Sequence, residues 1–131
     1  MTTLTVVSIA LLGSLLFLLG ANVTRHRAQR GSTGNQMPSD PADRLLIAIR
    51  AHGNAAEYVP MLCILILACA ALTSGWWLNT LMVGAVVFRV MHAADMLTGP
   101  SLASHRLARD IGAAGTYATG IALAVTAVAS L

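Results

Sequence analysis

The sequence predicts an all-α integral membrane protein, a four-helix bundle, and three observations carry that prediction. Of its 131 residues, 56% are hydrophobic and only 10% are charged, against about 25% charged in an ordinary soluble domain. Four apolar stretches, Leu4 to Val23, Leu45 to Thr73, Trp76 to Met96 and Ile111 to Leu131, each approach or exceed the roughly 20 residues that cross a bilayer as helix. The charges are confined to two of the three connections and their flanks. Every basic residue is an arginine, placed either after the first stretch (Arg25, Arg27, Arg30, Arg44, Arg50) or around the third connection (Arg89, Arg106, Arg109). A single domain over residues 1–131 is expected, with helices at about 3–24, 41–73, 76–98 and 106–131.

Nothing basic precedes the first stretch, no small-x-small cleavage pattern follows it, and its apolar core exceeds the roughly 7 to 15 residues of a signal h-region. It is expected to persist as the first transmembrane helix. The run from Arg30 to Pro41 is dense in turn formers and reads as an exposed loop. Ser39 or Asp40 ahead of Pro41 predicts an N-cap with proline in the first turn. A second helix from there to Thr73 would be about 48 Å long, so its first turns must project beyond a hydrocarbon core of about 30 Å. Trp76 and Trp77, beside a connection without charge, read as an interfacial anchor. The arginine distribution puts the first and third connections in the cytoplasm and both termini outside. In the fourth helix Ala108, Gly112, Thr116, Gly120 and Ala124 recur every four residues, a spacing that lets helix backbones approach closely, within or between subunits.

Polar residues inside these spans are the pointer to function, since ionisable groups in membrane helices usually face a bundle interior or wet cavity. Arg50, Asn54 and Glu57 stand at i, i+4 and i+7 on one face of helix two, with Asp43 on the same arc and Tyr58 at its edge. Arg89, His92 and Met96 share a face of helix three. Counting about 20 residues inward from the uncharged ends brings both faces, and Arg106 and Arg109, to one membrane level. Turned toward each other, these faces would line a cavity whose arginines favour carboxylates and whose glutamate receives an ammonium or pairs with an arginine. The expected guest is a small zwitterion or multiply charged anion. The alternative is that the same charges pair between helices as structural glue, with Arg89 snorkelling to the interface.

Other polar residues are read more plainly. His52 points away from the Arg50 stripe and is expected to pack, and His105 belongs to a loop. Asp110 can pair with Arg106 at i, i+4, which would leave Arg109 the freer cation. Cys63 and Cys69, about 9 Å apart along one helix axis, cannot bridge each other and read as packing residues. No metal site is expected, because His92 and Asp95 lack further ligands, nor a serine or cysteine nucleophile with an adjacent base. A basic charge balance without a run of interleaved aromatics excludes nucleic acid as a partner.

The segment from Arg50 to Pro60, with Arg89-x-x-His92 and Arg109-x-x-Gly112, resembles the MAPEG family, the membrane-associated proteins in eicosanoid and glutathione metabolism, over essentially the whole chain. It looks most like the short bacterial members. The resemblance implies a homotrimer in membrane lipid, in a bacterial inner membrane, that binds glutathione between subunits as a cosubstrate. Carried over by position, Arg50, Asn54, Glu57 and Tyr58 hold glutathione, and Arg89 and His92 line the same site. An arginine near the start of helix four stabilises the thiolate, Arg109 as first choice and Arg106 as second. A further family arginine at the end of helix one falls on Arg25 or Arg27. The implied activity is that of a transferase or peroxidase acting on lipophilic electrophiles or lipid hydroperoxides. Two departures bear on it. Leu46 and Ile47 replace the Glu-Arg of many relatives, and Met96 stands where several carry an aromatic hydroxyl. The rival functions are a non-catalytic membrane binding or scaffold protein and a small proton-coupled transporter using Glu57.

Overall fold

The computed structural model describes residues 1–131 as α1 (Thr3–Arg30), α2 (Arg44–Leu72), α3 (Trp76–Thr98) and α4 (Leu107–Ala129). All four are long and apolar enough to cross a membrane, and at 1.5 Å per residue they measure about 35 to 44 Å. α1 lies against α2 and α3, while α4 lies against α3 and α2. The core between them is formed by Leu12 and Leu19 of α1, Ala55, Val59, Leu62 and Ile66 of α2, Met82 and Ala85 of α3, and Leu123 of α4. Large apolar side chains also point outward, among them Phe17, Leu18, Met61, Ile64 and Ile121. In water such surface would drive aggregation; against lipid it is the proper finish.

The tightest seam is between α3 and α4, and glycine makes it. A Cβ on Gly112 would lie 2.8 to 3.0 Å from the Cβ, N and Cα of His92, and one on Gly115 would enter the Phe88 ring at 2.3 Å. The small-residue stripe of α4 therefore serves contact within the subunit at Gly112 and Thr116, whereas Gly120 turns toward Leu62 of α2. His52 packs its imidazole against Gly20 of α1, in keeping with a packing role. Cys69 is buried and directs its thiol to the carbonyl of Leu123 at 3.2 Å.

Three boundaries differ from the sequence reading. α1 continues to Arg30 instead of ending near residue 24, because polar residues such as Arg25, Arg27 and Gln29 are good helix formers once the chain has left the apolar region. α4 runs from Leu107 to Ala129, within the expected 106–131. The N-cap of α2 is Asp43, not Ser39 or Asp40: its Oδ1 accepts from the backbone N–H of Leu45 at 2.8 Å and of Leu46 at 3.3 Å. Asp40 is committed to a turn instead, accepting from Ala42 N through its carboxylate and from Asp43 N through its carbonyl. The carbonyl of Pro41 is taken by Leu102 N across the bundle, which holds residue 41 outside the helix.

Asp43 also pairs with Arg30 at the end of α1, clamping the two ends of the first connection. That hydrogen bond, helped by the two capping N–H groups, holds the Asp43 carboxyl below the ordinary aspartate range. A carboxyl with a lowered folded-state pKa stabilises the fold above its unfolded value and loses that contribution as pH falls through the folded one. The clamp is therefore expected to open only in acid. Asp43→Asn, which keeps the capping oxygen but not the charge, should flatten the acid limb of a thermal-unfolding profile; an unchanged limb would show that Asp43 does not set it.

Candidate functional site

The charged end of the bundle is organised around Arg89, which is 2% exposed although it carries a full charge. Its Nε donates to Thr116 Oγ1 of α4 at 2.8 Å and its Nη1 to Asn54 Oδ1 of α2 at 2.8 Å, so one side chain ties three helices together. The guanidinium also lies over the Tyr58 ring, 5.1 Å from the centroid, a cation–π contact. No carboxylate stands within ion-pair distance of it. Its charge is balanced by an amide, a hydroxyl and an aromatic face.

Sequence reasoning named Asn54, Tyr58, Arg89 and His92, and the structure brings the first three into one cluster. His92 sits one turn further along α3, buried, with Nδ1 at 2.9 Å from the backbone carbonyl of Arg109. Since a carbonyl can only accept, Nδ1 carries the proton. Met96, the third residue of that face, is buried in the apolar core. Arg50 and Glu57 are placed differently. Both are exposed on the outer face of α2 and neither has an ion-pair partner in the chain, so the structural-glue reading gains no support from within one subunit.

The helix-four arginines correct a pairing expected from sequence. Asp110 meets His105 at 3.3 Å, not Arg106. Arg106, the N-cap residue of α4, reaches back to α3 and binds Asp95 at 3.0 Å. Arg109 is not the free cation of the pair: its Nη1 and Nη2 donate to the carbonyls of Leu102 and Ser104 at 3.2 and 2.7 Å. The reason is local. The connection before α4 presents unpaired carbonyls that the long Arg109 side chain can fold back to reach, and Asp95 is already waiting on the neighbouring helix. Both arginines thus help to fix the α3–α4 connection.

Two residues of the site escaped the sequence reading. Thr116 belongs by spacing with the small packing residues, yet its hydroxyl donates to Gly112 O at 2.7 Å and so is free to accept from Arg89. Tyr117 brings its hydroxyl to 3.3 Å from that of Tyr58. The available signal is a pair of adjacent hydroxyls, Thr116 and Tyr117, within the spanning part of α4. These tyrosines form the rim of a groove of about 380 Å³ between α2 and α4, walled by Met61, Leu65, Gly120 and Ile121 and open to the side. A polar cluster and an apolar groove therefore share Tyr58 and Thr116 as their common border.

This arrangement, four membrane-length helices with the α2 stripe beside a buried arginine on α3, accompanies a family match over residues 5–129. The chain belongs to the MAPEG family. The match covers α2, α3 and α4 of this MAPEG chain in full, α1 from Thr5 onward, and every residue of the cluster. No curated protein and no solved structure matches the chain. As a MAPEG member with four apolar helices it is an integral, multi-pass membrane protein.

Proposed function

We propose that the chain is a membrane-embedded, glutathione-dependent transferase or peroxidase that works as a homotrimer. The observation that carries this reading is the Arg89–Asn54–Tyr58 cluster set between an outward-facing charged stripe and an apolar groove. Arg50 offers an unpaired guanidinium and Glu57 an unpaired carboxylate on one helix face, complementary to a small molecule bearing carboxylates and an ammonium. That stripe continues into exposed Met61 and Ile64, a surface that a second copy of the chain would cover. Arg89 fixes Asn54 and Tyr58, so the binding face is held rigid from behind.

Glutathione supplies a thiol, which becomes a strong nucleophile when a nearby cation lowers its pKa. Arg109, or failing it Arg106, would hold the sulfur's charge by exchanging its present partner for the ligand. The groove between α2 and α4 supplies the other reactant, an electrophile or hydroperoxide with an apolar body that arrives sideways from the bilayer. We assign the protein to a bacterial inner membrane on its likeness to the short bacterial members, and place its charged end in the cytoplasm and both termini outside on the arginine distribution.

Titration of the purified protein with glutathione, followed by thiolate absorbance in the ultraviolet, tests this. Saturable thiolate formation is expected in the wild type, with Arg50→Gln weakening the apparent affinity roughly tenfold, the order of one lost charge-assisted hydrogen bond. No binding and no thiolate in the wild type would remove the function. A second reading has its own support: because Arg106 and Arg109 are both engaged, the protein would bind the ligand without turning it over. It predicts saturable binding with no conjugation of a chlorinated dinitrobenzene.

A further inference from the structure

A second polar pocket, of about 410 Å³, opens between α1, α2 and α3 at the charged end and shares no residue with the Arg89 cluster or the tyrosine-rimmed groove. Its polar wall is Asn22, Arg25, His26, Arg44 and Thr98. It contains two arginines and no acid. Arg44 uses Nη1 to bind the carbonyls of Leu97 and Gly99 at the end of α3, which leaves its Nε and Nη2 without protein acceptors. Arg25 makes one bond, from Nη2 to Asn22. Two guanidiniums with spare donors line one pocket beside an imidazole, a set suited to a tetrahedral oxyanion; the Thr98 hydroxyl donates to Ala94 O at 2.9 Å and adds no donor.

The pocket's depth says which oxyanion. Asn22 and Arg25 stand at the end of the apolar run of α1, at the level where hydrocarbon gives way to headgroups. On the same face of α1, one turn toward the bilayer centre, Leu18 is 69% exposed. From there a shallow groove of about 530 Å³ runs along Phe17, Ser14, Gly13 and Ala10. From Asn22 to Gly13 the helix rises about 14 Å, close to the roughly 15 Å of one hydrocarbon leaflet. A polar seat and an apolar furrow are therefore joined end to end along one helix face.

We infer that this face of α1 binds one anionic phospholipid, its phosphate between Arg25 and Arg44 and an acyl chain in the furrow at Gly13. Basic pockets between transmembrane helices recognise lipid headgroups in this way. The pocket lies apart from the Arg89 cluster, but Arg25 is also a candidate for the family arginine at the end of α1, so the glutathione arm of the test below separates the two roles.

Native mass spectrometry of protein equilibrated with equimolar phosphatidylglycerol and phosphatidylcholine tests it. The retained lipid should favour phosphatidylglycerol, and Arg25→Gln, which leaves the Arg44 bonds to α3 in place, should cut that preference about fivefold, the scale of one interfacial cation. Arg27→Gln removes the same charge from outside the pocket and should leave the preference intact. Gly13→Leu should lower retention of both lipids without changing their ratio. It is a substitution the fold admits, since an added Cβ meets nothing within 4 Å. Equal retention of the two lipids, an Arg27→Gln effect as large as that of Arg25→Gln, or full retention by Gly13→Leu would each overturn the assignment. So would displacement of the lipid by inorganic phosphate, which would make the pocket a soluble-phosphate site, or by glutathione, which would return it to the thiol site.

Discussion

Gly112→Ala is expected to destabilise the bundle by about 1 to 3 kcal/mol, the usual cost of overpacking a filled interior, with loss of the bond between His92 and the Arg109 carbonyl. The new methyl would meet backbone as well as Cβ of His92, at 2.8 to 3.0 Å. Backbone cannot step aside, so α4 must move as a body. Gly115→Ala produces a closer nominal collision, 2.3 Å, yet should cost less, because the half-buried Phe88 ring can swing into lipid. The two variants thus separate clash distance from the ability to relax. Thermal unfolding in detergent reads the order, and a larger loss for Gly115→Ala would show that α3 and α4 are not held at their spacing by Gly112.

Asn54→Ala should cost about 2 to 3 kcal/mol, the upper range for a hydrogen bond to a charged group left unmade. The side-chain oxygen it removes is one of two acceptors at 2.8 Å for an almost fully buried guanidinium, leaving Nη1 only the Asn54 carbonyl at 3.5 Å, and no carboxylate is available to replace it. Arg89→Met in the same background should then recover part of the loss, since removing both members of a buried polar pair is often nearly neutral whereas removing one strands the other. A double variant less stable than Asn54→Ala would contradict this account, and would mean that Arg89 acts mainly through its packing.

How far the sequence discloses these features depends on the range of the interactions. The four spans follow from apolar runs, which a bilayer converts almost directly into helices. The facing of Asn54 toward Arg89 follows from helical phase and equal depth, both of which can be counted along the chain. The cap of α2 was less legible, because Asp40 and Asp43 are chemically equal and only the tertiary bond from Leu102 to the Pro41 carbonyl keeps the first of them out of the helix. The same limit applies to Arg106. Its partner by sequence spacing was Asp110, but Asp95 lies across the helix seam and is far more buried, so the long-range pair wins. Thr116 could be seen as small, not as an acceptor, until Arg89 was placed beside it. Whether Arg109 or Arg106 turns to a ligand is not encoded in spacing at all, since Arg109 is held by carbonyls of the connection and Arg106 by Asp95 on α3.

The short link from α2 to α3, Thr73 to Gly75, has no ionisable side chain, and no charge follows it until Arg89. Insertion of these two helices as a hairpin therefore carries no ion through the hydrocarbon, whereas inserting them the other way up would drag the arginines of both flanking connections across. That difference, several kcal/mol for each arginine held at the centre of a bilayer, would favour one orientation of the hairpin before any tertiary contact has formed.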